Sequence, residues 1–211
     1  PRGAAGKAFS GYLKARRRAG GALMILGFEG EEESLARRRA LTVRSLRAGG
    51  AVYLGRAGGR SWEHGRYGGP YQRDLLMGMG AMVETLETSH TWTRLGELHR
   101  SVSAAIAGAL DGQGTPGLVF CHLSHAYADG ASLYFTFISR ARRGAELEQW
   151  AAVKKAAGEA IVANGATITH HHATGRDHMP YMEAEVGQTG LDVLRAVKER
   201  LDPTGIMNPG K

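Results

Sequence analysis

Apolar positions along the chain follow two spacings, a period of two over short runs and a period near 3.6 over longer ones. AMVETLETS, from Ala81, alternates apolar and polar residues and predicts a strand. TWTRLGELHRSVSAAIAGAL, from Thr91, returns its apolar residues every three or four positions and predicts an amphipathic helix that ends at DGQG. In GLVFCHLSHAYADGASLYFTFISRA two strands are joined around Ala128, Asp129 and Gly130, a hairpin-type turn signal. GAELEQWAAVKKAAGEAIVANG predicts another long helix, stopped at Asn164 and Gly165, and a last helix is expected from about Gln188 to Arg200, before Asp202 and Pro203.

The earlier part reads with shorter elements. FSGYLKARR has a short helical pattern, and Ala22 to Phe28 is a β-like apolar run between glycines. EEESLARRRALTVRSLRAGG predicts a helix with acids at its start, arginines towards its end and Gly49 as its stop. AVYLG, from Ala51, is a further candidate strand, and the polar, glycine-broken Arg56 to Gly69 has room for one short helix. The order β-α-β, then β-α-β-β-α, contains a hairpin and so argues against a purely parallel sheet. It predicts an α+β fold, helices packed on one face of a mainly antiparallel sheet.

Composition narrows this picture. The chain has 211 residues and is 43% hydrophobic, enough to bury a core. It starts at Pro1 without a charged-then-apolar leader, and no apolar run approaches the ~20 residues that span a bilayer. It therefore reads as soluble, and as a piece of something longer. Its one cysteine, Cys121, excludes an internal disulfide and Cys-based zinc motifs, and sits in an apolar run as a small buried thiol. The net charge is +7, yet no aromatic residues interleave the arginine runs, so a solvated helix face or an anionic partner is expected rather than nucleic acid.

Four clusters could carry chemistry. In GGPYQRDLLM, Arg73 and Asp74 are expected on a loop, where an arginine can grip a carboxylate or phosphate in bidentate fashion. VETLETSHTW gathers Glu84, Thr85, Glu87, Thr88 and Ser89, with Thr88 or Ser89 expected as a helix N-cap. In CHLSHAYADGASLYF, strict alternation puts His122 and Ser124 on one side and Cys121, Leu123 and His125 on the other. In TITHHHATGRDH an extended backbone would point His170 and His172 one way and His171 the other, so a single metal could not easily take all three and none is expected. Imidazoles that titrate near neutrality suit a proton-handling wall beside a ligand. No G-x-G-x-x-G follows a strand and no Walker A motif exists.

Taken in order, GGPYQRDLL with VETLETSHTW, CHLSHAYADGASLYFTF, ANGATITHHHATGRDH and LDPTGIMNPGK resemble the C-terminal half of the alkyldihydroxyacetonephosphate synthase family, within the vanillyl-alcohol-oxidase-type FAD-linked oxidases. The resemblance implies FAD as cofactor and a ferredoxin-like duplicated cap, or substrate, domain over residues 1–211, with a helical tail from about residue 176. The partner domain that cradles the flavin would lie N-terminal to this chain in the same protein. The implied reaction exchanges the acyl chain of acyl-dihydroxyacetone phosphate for a fatty alcohol, without net redox change. The implied substrate is a phosphate-bearing lipid, and the implied setting is cytoplasmic or membrane-peripheral, with a homodimer open. Arg73 matches the family's arginine near the substrate phosphate, and Thr85 a position where relatives carry an active-site serine. Tyr134 matches an acid/base tyrosine, and His170, His171 and His172 the triple histidine. His125 is placed near the substrate. Arg176 keeps a positive charge where animal members have lysine, Ala173 stands where they have glycine, and Arg176 and Asn208 are expected on the cofactor side. The alternative is an FAD-dependent oxidase or dehydrogenase of a 2-hydroxy acid or alcohol.

Overall fold

The computed structural model describes residues 4–16 and 23–210, in two compact units, residues 1–69 and 70–211. The described residues of the first unit form α1 (Ala4–Ala15), α2 (Glu32–Ala48) and α3 (Ala57–Gly65), followed by a short 3-10 turn at Arg66–Gly68. Among its described residues none is buried. Of the arginines of α2, Arg37, Arg38, Arg44 and Arg47 are exposed and Arg39 is half-buried. Two of them sit over an aromatic ring, with the Arg39 and Arg47 guanidinium carbons 6.0 and 5.8 Å from the Tyr53 ring centre. Arg39 also donates to the Tyr53 hydroxyl at 3.0 Å, and this bond holds that hydroxyl below its ordinary pKa.

The strands expected over Ala22 to Phe28 and in AVYLG are not formed. Ala22 lies outside the described residues, and residues 23–28 and 51–55 have no regular structure. Alternation supplies propensity, but a strand persists only when a neighbour pairs with it and covers its apolar face. Here Leu23 and Met24 stand 73% and 63% exposed.

The second unit is built as the pattern from Ala81 onward predicts. Its elements are α4 (Gly69–Gly78), β1 (Ala81–Thr91), α5 (Trp92–Gly112), β2 (Leu118–Ala126), β3 (Gly130–Arg140), α6 (Glu146–Ala163), a single turn α7 (Gly175–His178) and α8 (Met182–Leu201). The strands form one antiparallel sheet in the order β1-β3-β2. The final helix starts earlier than expected, but Gly187 (φ 70°, ψ 168°) breaks it, and the part after that break begins at Gln188 as the sequence indicates. Helix α5 is capped at Thr91, not at Thr88 or Ser89, because β1 continues through both.

The register separates the sheet into two faces. Leu86 pairs with Phe135, which pairs with Cys121, and Glu84, Phe137 and Val119 form the next row. This face takes α5, which buries Leu95, Leu98, Val102, Ile106 and Leu110 along one stripe, and α6, which adds Val153, Ala157 and Ile161. His99 of α5 stacks on Phe135 at 6.0 Å, and Trp150 of α6 donates to the Glu84 carboxylate at 2.6 Å. The buried amide of Gln149 is satisfied by Thr115, the Arg140 carbonyl and the Arg142 N–H, so burying it incurs no unpaired-group penalty. Gly158 is required here: a Cβ would lie 2.6 Å from the Tyr181 ring. Cys121 shares this covered face, and burial pushes its thiol up to about 11, in line with an inert structural cysteine. No described helix is long and apolar enough to cross a membrane.

Candidate active site

The opposite face of the sheet, one residue out of phase, carries Val83, Thr85, Glu87 and Ser89 from β1, Ser132, Tyr134 and Thr136 from β3, and Phe120 and His122 from β2. The segment after α6 crosses the β1 end of this face. Thr167 bridges to Ser89, and the Thr88 hydroxyl donates to the Thr167 carbonyl at 2.6 Å. Glu185 of α8 holds the same segment from outside, accepting from the Thr167 hydroxyl and from the Ile168 N–H at 3.0 Å. With its start fixed, the segment delivers the three histidines.

These histidines do not alternate. Residues 170–172 run through bends instead of an extended strand, and Ala173 has a left-handed φ of 66°. All three rings therefore gather, His170 to His171 at 4.9 Å and His171 to His172 at 5.6 Å between centres. Each has a distinct neighbour. His170 Nε2 lies 3.2 Å from the Tyr127 hydroxyl. His171 places Nδ1 at 2.7 Å from the Glu87 carboxylate and Nε2 at 3.2 Å from His125 Nδ1. His172 meets the Tyr134 ring edge-on at 5.3 Å, and His122 stacks on the other flank of that ring at 5.1 Å.

His125 joins this group against strict alternation, which puts it on the side away from His122. The reason is a bulge: the β2–β3 register slips between Leu123 and Ala126, and the His125 N–H turns to the Ser132 hydroxyl at 3.3 Å. Ser124 follows it, with its hydroxyl 3.0 Å from His125 Nδ1.

The remaining expected residues are spread more widely. Arg73 is not on a loop; it lies in α4, and its Nε donates to the Val83 carbonyl at 3.3 Å, which puts its head group beside β1 two residues before Thr85. Thr85 is on the open face, opposite Thr136. Arg176 is in α7, and its guanidinium comes within 3.6 Å of the place a Cβ would take on Gly210, so it runs beside the C-terminal tail. Asn208 sits in that tail at φ 53°.

Three residues here had no expected role: Glu87, Tyr127 and His122. Glu87 has the clearest signal in hindsight, an acid placed mid-strand in the phase of Thr85. Its side chain is fully buried, and it takes both the His171 N–H and the His171 ring on one oxygen. Its other oxygen, with Thr169 Oγ1 and His170 Nδ1, is buried with no partner. Two groups, His125 with His170 and His171, and Glu87 with His171 and His172, each bring their ligand atoms within 4.8 Å of one another, close enough to hold a metal ion. His171 belongs to both, and its Nδ1 is already engaged by Glu87.

An antiparallel sheet backed by helices on one face and lined with imidazoles and phenols on the other defines an α+β lobe. The chain belongs to the family described as FAD linked oxidases, C-terminal domain, which it matches over residues 3–211. It is similar to the alkyldihydroxyacetonephosphate synthase of Trypanosoma brucei brucei, 34% identical over 90% of this chain and 31% of that protein. The Dictyostelium discoideum synthase is 32% identical with the same coverage. A solved alkyldihydroxyacetonephosphate synthase superposes with a TM-score of 0.59 at 28% identity, over 87% of this chain and 30% of its own. The chain thus spans about a third of the length of the curated relatives it matches.

The arrangement fits one part of a flavin. His170 Nδ1, buried without a partner among these imidazoles and phenols, is a group that the polar edge of the flavin ring would satisfy. The glycine-spaced stretch 112–117 runs from the end of helix α5 into β2, the reverse of the strand-to-helix turn that cradles a pyrophosphate.

Proposed function

We propose that this chain is the substrate lobe of a flavoenzyme that exchanges the acyl group of acyl-dihydroxyacetone phosphate for a fatty alcohol. The observation that supports this best is the convergence of His170, His171 and His172 with Tyr134 and His125 on one sheet face. Bound FAD, held largely by an N-terminal domain of the same protein, would supply the electron-accepting ring against which the substrate reacts. Tyr134 and the triple histidine would face that ring, with Arg176 and Asn208 on the cofactor side.

The reaction needs a proton taken from carbon and later returned to it, a proton given to the departing carboxylate and a proton removed from the incoming alcohol. It has no net redox demand, so these transfers are the chain's main task. The imidazoles of His170, His171 and His172 can each accept a proton on one ring nitrogen and donate from the other, and the Tyr134 hydroxyl adds a further donor within the same cluster. Arg73, with Thr85 near it on β1, would hold the substrate phosphate as a fixed cation with several donors. A lipid substrate and a net charge of +7 also suit an enzyme working in the cytoplasm at an anionic membrane surface.

The test gives the full-length protein palmitoyl-dihydroxyacetone phosphate and hexadecanol and measures ether product and released palmitate. Equal amounts of both are expected, with rates reduced about 100-fold in Tyr134→Phe and His171→Ala. Flavin reduction by a 2-hydroxy acid, with no ether formed, would replace this reading with the oxidase or dehydrogenase alternative.

A further inference from the structure

A buried carboxylate touching one histidine of a solvent-reaching cluster is an expensive feature, since an acid with no side-chain exposure must be compensated by hydrogen bonds. Glu87 has such bonds on one oxygen only, and both come from His171. We propose that Glu87 is the positioning residue of the site: it holds His171 with its proton on Nδ1 and, through His171, sets the orientation and proton position of His125. This rests on the functional reading above and deepens it.

The proton positions follow from which atoms can donate. An ionised carboxylate only accepts, so the His171 Nδ1 at 2.7 Å from Glu87 carries a proton. In a neutral ring Nε2 is then a lone pair. That lone pair faces His125 Nδ1 at 3.2 Å, so His125 also carries its proton on Nδ1, and the Ser124 hydroxyl at 3.0 Å shares it as a second acceptor. The basic nitrogen left over is His125 Nε2. When that nitrogen takes a proton, the Nδ1 proton of His125 can pass to His171 Nε2. One proton enters, one moves along, and the positive charge ends on His171 against the Glu87 carboxylate. A buried acid that orients an imidazole in this way matters by fixing the ring and its proton, not by taking the proton itself.

The competing explanation is that Glu87 only satisfies the His171 backbone N–H. Glu87→Gln separates the two, because an amide oxygen still accepts that N–H while the charge is lost. The measurement uses flavin-loaded full-length protein with 15N-labelled histidine, the His171 signals being assigned by their loss in His171→Asn. The parent protein is expected to show a protonated, pyrrole-type Nδ1 and a pyridine-type Nε2 at His171. Glu87→Gln is expected to mix the two forms and to lower kcat by roughly 10- to 100-fold, with KM changed less than about threefold. Glu87→Asp, which restores the charge, should recover the Nδ1–H form and about tenfold of the lost rate. An unmixed Nδ1–H signal in Glu87→Gln with kcat within about twofold would overturn the proposal. If Glu87→Gln loses its flavin, Glu87→Asp decides alone: a mixed signal there overturns it and an Nδ1–H signal supports it. The nitrogen signals need no substrate. A parent protein that forms no ether but shows the shift on Glu87→Gln therefore sinks the functional reading and leaves this inference standing.

Discussion

Leu86 and Glu87 are neighbours in one strand, and both are almost completely buried, at 4% and 2% exposure. Leu86 lies opposite Phe135 in the hydrophobic core beneath α5 and α6. Glu87 lies opposite Tyr134 on the other face, beneath the triple histidine. The two faces share a backbone, a register and a twist, and differ only by one step of a period of two. On the covered side a change of side chain is a change of stability. On the open side the same backbone holds imidazoles and phenols that the core does not need for its own packing, so a change there should register as lost chemistry with the fold retained.

The sharpest way to break this division is Phe135→Ala. Phe135 is fully buried and meets His99, Leu86 and Cys121. Its removal should cost about 3–5 kcal/mol, a large fraction of a total folding stability of about 5–15 kcal/mol. Chemical denaturation followed by circular dichroism should show the midpoint fall accordingly. If Phe135→Ala denatures like its parent, the covered face is not the core.

Cys121 tests the same side without a mutation of the packing. Its thiol is pushed up to about 11 by burial, so at pH 8 only about one part in 10³ is thiolate. Alkylation by iodoacetamide should run roughly 100-fold slower in folded protein than in denaturant, because the thiolate is the reacting form. Desolvation disfavours the charged form of an acid, raises its pKa and lowers reactivity at a fixed pH. Rapid labelling of the native protein would mean that β2 opens to solvent.

How much of this was legible depends on whether local spacing or distant contact decides the outcome. Helix α5, the hairpin at Asp129 and the helix beginning at Gln188 are written in local periodicity and turn residues, and the structure forms them at those places. The segments 23–28 and 51–55 have strand-like spacing too, but a strand needs a partner, which no local pattern reports. The site divides in the same way. The triple histidine and Tyr134 could be picked out from motif, and they do come together. Strict alternation misassigned His125, since a bulge is one inserted residue that period-two counting cannot see. It also gave Glu87 no role, because the His171 that explains Glu87 lies 84 residues further along the chain. Arg73 was misplaced on a loop since GGPYQRDLL opens with glycines and a proline, yet proline is at home in the first turn of a helix, which is where α4 puts it.

The smallest expected effect falls on the segment that lines the open face. Ala173 follows the three histidines at φ 66°, a conformation that costs an L residue about 1–2 kcal/mol and glycine almost nothing. The bend is held from its C-terminal side. His178 places Nδ1 at 3.0 Å from the Ala173 carbonyl, and Thr174 begins α7 directly afterwards. Replacing Ala173 by glycine relieves the strain but adds freedom to the unfolded chain, worth about 0.4–1 kcal/mol in the opposite direction. The net gain should be up to about 1 kcal/mol, or roughly 2–4 °C in Tm if this unit melts on its own. Turnover should stay within about twofold, because the histidines are held by Glu87, Tyr127 and His125 and not by the residue after them. A rise in Tm accompanied by a large fall in rate would show that Ala173 itself sets the ring positions, and would move part of the site's geometry from the sheet face to the strained turn. A fall in Tm would show that the left-handed bend is not formed in solution at all.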